Sequence, residues 1–364
     1  MERKLLLDKL DAVAPALSAN VLVPVFTNFW FTGKHVMAYN DHIGISAKLG
    51  TEFAGAVSST LASLLKASRA KDVSLELVEG VLQIKAASSK FKLPVLEPDT
   101  FAKSFTMPKM AEQTLPVDAA KFIAGIEDCL YSVSSDSAVP DYLGVTLLVK
   151  GKRMRMFSTT TKNLTCVTVR LKEEVPFERI ILRGDFCKQV VRFGKGKKDV
   201  SFVVDDDYSM MQVDDVRVFG WVLKADDPQP YGQIYNRFIP EGLEKSLVSV
   251  PTKLELMLER AIIVCSGTNA AEEVRTNVRV RSSKEGANPI MHFQSRSGRG
   301  EEVKDTVMLE KKHPNIGVSL SAKLLKLAYG RFTHMTITED AAIFADDDLS
   351  RIYMVSAYKE QEME

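Results

Sequence analysis

Two acidic triplets, Asp205-Asp206-Asp207 and Asp346-Asp347-Asp348, hold the residues best suited to chemistry. Clustered carboxylates can hold a divalent cation, and a metal-bound water can hydrolyse a phosphodiester. The surrounding pattern separates them. The first falls at the turn of a hairpin ("DVSFVVDDDYSMMQV") and the second in a break before a later strand ("AAIFADDDLSRIYMV"), so they do not converge on one site. Gly194-Lys195-Gly196-Lys197-Lys198 lacks the spacing of a phosphate-binding Gly-rich loop and reads as a basic turn ending a helix. His35, His42, His292, His313 and His334 are dispersed, with no neighbouring nucleophile and no metal-ligand spacing. Cys129, Cys166, Cys187 and Cys265 are equally scattered and read as reduced structural thiols. No enzyme, metal or cofactor is expected.

The elements carrying these residues follow one plan. "DVSLELVEGVLQIKAASSKFKLPVL" from Asp72, "DVSFVVDDDYSMMQVDDVRVFGWVL" from Asp199 and "HMTITEDAAIFADDDLSRIYMVSA" from His334 each read as strand, tight turn, strand, break, strand. They start about 130 residues apart, a period suited to whole domains. Before each lies a helical pattern: Val57, Leu61 and Leu64; Phe186, Val190 and Phe193; Leu320, Leu324 and Leu327. Further upstream come a strand pair and another helix: Leu6, Leu10, Val13 and Leu17; Phe122, Ile126 and Leu130; Leu254, Leu258, Ala261 and Val264. The fold class is α+β, with two helices laid on antiparallel sheet in each of three repeats. Pro- and polar-rich stretches after Leu96 and Leu223 place domains at 1–111, 112–243 and 244–364. Pro94, flanked by Lys90 and Lys92, marks its strand as a sheet edge.

The chain of 364 residues is 45% hydrophobic and 26% charged, with a net charge of +1. Its apolar runs are far shorter than a membrane span, and its charged N-terminus is unlike a secretory signal, so a soluble cytoplasmic protein is expected. The cations are segregated. The first helices sum to −1, whereas windows 57–71, 184–198 and 319–333 carry +3, +4 and +3. Lys66, Arg69 and Lys71, then Lys188, Arg192, Lys195, Lys197 and Lys198, then Lys323, Lys326 and Arg331 give each second helix a basic outer side. One such helix is an ordinary solvated face; recurrence at three equivalent positions points to sequence-independent contact with a nucleic-acid backbone.

Several strings, in order and over nearly the whole chain, resemble the bacterial DNA polymerase III beta subunit, the sliding clamp. They are "SSKFKLPVLEPDTF" (Ser88 to Phe101), "VPDYLGVTLL" (Val139 to Leu148), "QIYNRFIP" (Gln233 to Pro240) and "IGVSLSAKLLKL" (Ile316 to Leu327). The resemblance implies three DNA-clamp domains in an arc that closes head to tail as a homodimeric ring. The ring would encircle double-stranded DNA without reading sequence and tether a polymerase as its processivity factor. Phe91 and Leu93 would meet Ile263 and Val264 of a second copy, and Tyr142 would touch DNA. Short linear peptides of the polymerase and the clamp loader would bind a groove built from Leu143, Thr159, Leu164, Arg237, Phe238, Ser319, Ala322, Met354, Ser356, Ala357 and Tyr358. The chain departs from the family at Thr160-Thr161-Lys162-Asn163, at Ser356-Ala357-Tyr358-Lys359 and in the tail "EQEME". Those departures imply a divergent member, of the kind a phage or another mobile replicon carries, with its own partner peptide. The competing expectation is an accessory protein that uses the same basic helices as an open DNA-binding platform without a ring.

Overall fold

The structure, a computed structural model, describes residues 1–19, 24–97, 105, 107–110, 114–134, 138–239, 241–265, 275–281, 288–297, 300–311 and 313–358. The tail "EQEME" and the first expected boundary, at 111, lie outside these residues.

The element order repeats three times. The first passage runs α1 (Arg3–Val13), β1 (Asn28–Thr32), β2 (His35–Tyr39), β3 (Ile43–Lys48), β4 (Ala54–Ser58), α2 (Thr60–Ala67), β5 (Val73–Val78), β6 (Val81–Ala86) and β7 (Ser89–Leu96). The second runs α3 (Ala119–Cys129), β8 (Gly144–Lys150), β9 (Arg153–Thr159), β10 (Asn163–Arg170), β11 (Arg179–Arg183), α4 (Gly184–Gly194), β12 (Val200–Val204), β13 (Tyr208–Val213) and β14 (Val216–Leu223). A connection holding α5 (Tyr231–Phe238) and α6 (Leu243–Ser246) leads to the third. It starts with the two-residue β15 (Val248–Ser249) and continues with α7 (Leu254–Cys265), β16 (Arg275–Arg281), β17 (Ile290–Arg296), β18 (Glu302–Met308), β19 (Ile316–Ser321), α8 (Ala322–Ala328), β20 (His334–Ile337), β21 (Ala341–Ala345) and β22 (Arg351–Ser356). Each repeat is therefore helix, four strands, helix, three strands. The expected order holds, but the strand pair between the helices is a set of four.

By packing, the chain divides into two compact units: residues 1–124 with 172–223, and residues 125–171 with 224–364. Each joins one outer repeat to half of the middle one. In the first unit the junction is a ladder of β3 against β14, with Ile45 opposite Val218. In the second it is β10 against β22, with Leu164 opposite Met354. An extended interface made of strand pairing satisfies every backbone donor and acceptor it buries.

Local sequence explains the hairpins. Glu79 and Gly80 both take positive φ between β5 and β6, as a two-residue turn matching strand twist requires. Gly55, at φ +141, lets β7 close on β4: a Cβ there would lie 2.3 Å from Val95 Cγ1 and 2.9 Å from Leu96 O. Beyond Val95 and Leu96, β7 has β6 alone as its neighbour, so Ser89 to Pro94 is the expected edge.

The helices differ from expectation by part of a turn. On α2 the buried pair is Leu61 and Leu65 rather than Leu64, and Val57 belongs to β4. On α4 the buried stripe is Phe186, Cys187, Val190 and Gly194, leaving Phe193 half-exposed under Arg192. Leu320 lies in β19, and α8 buries Ala322, Leu325 and Ala328. Cys129, Cys166 and Cys187 are buried, and burial pushes the Cys166 thiol up to about 12, the inert state of a core cysteine. Among the described residues no helix is long and apolar enough to cross a membrane.

Candidate nucleic-acid interface and peptide groove

The second helices are shorter than their basic windows. Lys66 lies on α2, Lys188 and Arg192 on α4, and Lys323 and Lys326 on α8. Arg69, Lys71, Lys195, Lys197, Lys198 and Arg331 sit in the turns that follow. This corrects the sequence reading: six of the eleven expected helix-face cations lie past the helix ends, where positive charge also faces the negative pole of the helix dipole. Arg3 of α1 performs that capping role directly, donating from Nε to Ala70 O (2.6 Å) and from Nη1 to Leu65 O (3.0 Å) at the end of α2.

Most of these cations already have partners. Lys66 meets Asp11 of α1 at 2.8 Å, and Lys326 meets Glu259 of α7 at 2.8 Å. Both outer repeats thus use one construction, a lysine in the last turn of the second helix against an acid on the first. Asp11 and Glu259 are residues the sequence reading missed. In the middle repeat Lys188 pairs with Asp185 (3.3 Å), and Arg192 Nη2 donates to Asp11 O (3.0 Å). Lys197 pairs with Asp214 at 2.8 Å, which raises its pKa through that hydrogen bond. Arg331 stacks over the Tyr131 ring, 3.1 Å from its centroid. Tyr142 is half-buried, while its neighbour Asp141 is fully buried and accepts from Thr146 Oγ1 and Gln229 N at 3.3 Å each. Asp141 is therefore part of the scaffold.

All eleven expected groove residues fall in the second unit. The registers Thr146 to Phe157, Leu164 to Thr159 and Leu164 to Met354 put the start of β8, the end of β9, the start of β10 and the end of β22 at one end of a sheet. Leu143 just precedes β8 there. Leu164 and Met354 share an apolar cluster with Phe157 and Tyr231, whose rings stack at 5.1 Å, and Phe238 of α5 leans on it. Arg237 is exposed, its guanidinium 5.5 Å from the Phe238 ring. Beyond β22, Ser319 pairs with Tyr358, whose N–H donates to Ser319 O at 2.8 Å. Ser356 and Ala357 lead into that bridge, and Ala357 packs on the cluster holding Ala322. Thr159, Leu164, Ala322 and Met354 are buried. Leu143, Phe238, Ser319, Ser356, Ala357 and Tyr358 are half-exposed.

The two expected interface patches differ. Phe91 and Leu93 are half-exposed on the face shared with Leu77, itself 39% exposed. Ile263 is 73% exposed on α7, with Leu256 open about two turns earlier on the same face at 50%. Val264, by contrast, is half-buried against its own core.

The two acidic triplets have separate surroundings. Asp205 and Asp207 join the backbone hydrogen bonds around the β12–β13 turn. Asp346 meets Arg351 (3.1 Å), Asp347 meets His334 (2.7 Å), and Asp348 caps Ser350 N (2.9 Å). Among the described residues no three His, Cys, Asp or Glu side chains could jointly hold a metal ion.

No family model and no curated protein sequence matches the chain. Solved structures do. The DNA polymerase III beta subunit of Thermotoga maritima aligns at 18% identity and TM-score 0.80, covering 99% of this chain and 98% of that one. The DNA polymerase sliding clamp of Bacillus subtilis aligns at 14% and 0.83, with the same coverage. The DNA polymerase III subunit beta of Pseudomonas aeruginosa aligns at 17% and 0.79, covering 99% of each chain. From end to end, this chain has the fold of the bacterial sliding clamp.

Proposed function

We propose that the chain is a DNA sliding clamp, a non-enzymatic processivity factor that encircles duplex DNA and tethers a replicative polymerase. The observation that carries this reading is the full-length match to clamp structures combined with lysines and arginines on or just after the second helix of all three repeats. The domains run 1–111, 112–243 and 244–364, and two chains join head to tail. Phe91 and Leu93 on the β7 edge meet Ile263 on the partner's α7, a heterologous contact that closes when its rotation permits. Phosphates exchange with the acids that hold Lys66, Lys188 and Lys326, giving a salt-sensitive, sequence-independent hold. Topological linkage replaces tight binding. Polymerase and loader peptides bind over Leu164, Met354 and Phe238, bounded by Tyr358 and Arg237.

The test combines native mass with retention on DNA. A clamp has a mass near twice the 40.4 kDa chain and, once loaded, stays on circular DNA until the circle is linearised. Release that ignores linearisation would instead establish an open, non-ring accessory protein.

A further inference from the structure

A basic shelf adjoins the proposed peptide groove, on the sheet face opposite the buried residues of β16. Val278 and Val280 point into the core, so Arg279 and Arg281 alternate to the other face and are exposed. The register sets His292 opposite Arg279 and Thr306 opposite His292. Gln294 and Lys304 complete a shallow concavity with these four. Lys304 is neutralised by Glu302 at 2.8 Å, whereas Arg279 and Arg281 have no acidic partner among the described residues. Asp305, also at this concavity, is committed to Arg260 at 2.9 Å.

The shelf is continuous with the groove. Arg279 pairs in register with Gly317, and Asn277 pairs with Ser319, the residue bridged to Tyr358. A Cβ at Gly317 would lie 3.5 Å from Arg279 Cγ, so the absent side chain leaves that path low. At about 3.3 Å per residue, an extended peptide passing Tyr358 reaches the level of Arg279 in about two residues and of Arg281 in about four. Guanidinium forks match carboxylates in a bidentate way. The rings at the shelf are the half-buried His292 and the buried Phe293; among the described lining residues no exposed Phe, Tyr or Trp offers a platform on which bases could stack, which weighs against single-stranded nucleic acid as occupant.

We infer that the Arg279–Arg281 shelf is a specificity annex of the peptide groove, selecting partner peptides that carry Asp or Glu next to their apolar segment. The inference rests on the groove reading above.

The test uses full-length protein and fluorescein-labelled peptides sharing one Leu- and Phe-containing segment, flanked at either end by a run of Glu or of Gln. Wild type should prefer a Glu peptide by about five- to tenfold, as expected of two exposed charge pairs, and the preference should shrink as salt rises. R279Q/R281Q should abolish the preference while binding the Gln peptide as wild type does. Equal affinity of wild type for Glu and Gln peptides overturns the annex but leaves the groove standing. Failure of every peptide to bind overturns the groove, and the annex with it. Tighter binding of the Glu peptide by R279Q/R281Q would assign the arginines to the chain's own Glu360, Glu362 and Glu364 and overturn the proposal. Displacement of the Glu peptide by a single-stranded oligonucleotide in wild type alone would also overturn it, in favour of nucleic acid.

Discussion

Replacing Ile263 with Asp separates assembly from folding. Ile263 is 73% exposed in the single chain, so its own fold gains little from it. Fully burying an isoleucine contributes about 1.5–3 kcal/mol, so covering the exposed part contributes about 1–2 kcal/mol at one interface. A two-chain ring has two equivalent interfaces, which doubles this to about 2–4 kcal/mol. Dimer dissociation should therefore tighten or loosen by roughly thirty- to several-hundredfold with this side chain. In the proposed ring, Asp would add the further cost of a carboxylate pressed against Phe91 and Leu93. Light scattering across a concentration series reads the effect: wild type holds a mass near twice 40.4 kDa, and I263D falls to the single-chain mass at the same concentrations. Chemical unfolding of I263D should stay within about 0.5 kcal/mol of a single-chain reference. Two results would refute the reasoning. A dimer that survives I263D places the interface elsewhere, and a matching loss of fold stability makes Ile263 a core residue.

Three further outcomes are expected. Gly55→Ala should destabilise the first unit by about 2–3 kcal/mol in denaturant titration, because the added methyl meets Val95 Cγ1 and Leu96 O at a positive φ. His313 is held neutral: burial lowers its pKa from 6.5, Nδ1 faces Pro314 O at 2.9 Å, and Nε2 accepts from Ile337 N–H at 3.1 Å. A histidine with a depressed folded pKa contributes stability that is full above 6.5 and lost as pH falls toward the folded value. Thermal unfolding of wild type should therefore weaken on acidification through that window, and H313Q should flatten this part of the profile. The double variant K188A/R192A should lower the slope of log affinity against log salt on duplex DNA by about one to two, with equal losses on unrelated sequences.

The threefold order was legible because its signals are local. Alternation such as "NVRVR" makes a strand wherever its valines find a core, and a Glu-Gly or acidic turn closes a hairpin without help from distant residues. The helix boundaries were less legible. Val57 and Leu320 continue the helical period by coincidence, because a buried strand runs directly into each second helix and period alone cannot separate them. That shift moved the stripe of α2 from Leu65 to Leu64 and extended the apparent helices over Arg69, Lys198 and Arg331. The acids opposite the lysines were not legible at all. Asp11 and Lys66 are joined only by how α1 rolls against α2, a quantity set by packing rather than by sequence spacing.

Those acids bear on how a ring can hold DNA and still move. Pairs such as Lys66–Asp11 and Lys326–Glu259 are roughly half-exposed on both sides, so each contributes about 0–1 kcal/mol and opens readily. A phosphate arriving at either lysine replaces one carboxylate with another anion, and the net gain per contact is correspondingly small. Departure is also inexpensive, because the lysine returns to its acid rather than to bare water. Exchange of this kind flattens the energy along the DNA, since no position leaves a cation unpaired. A set of unpaired lysines would hold more tightly but would cost more to move from one phosphate to the next. In the proposed clamp, residence would then depend on closure, which would place the demand for strength on Phe91, Leu93 and Ile263 rather than on the helices.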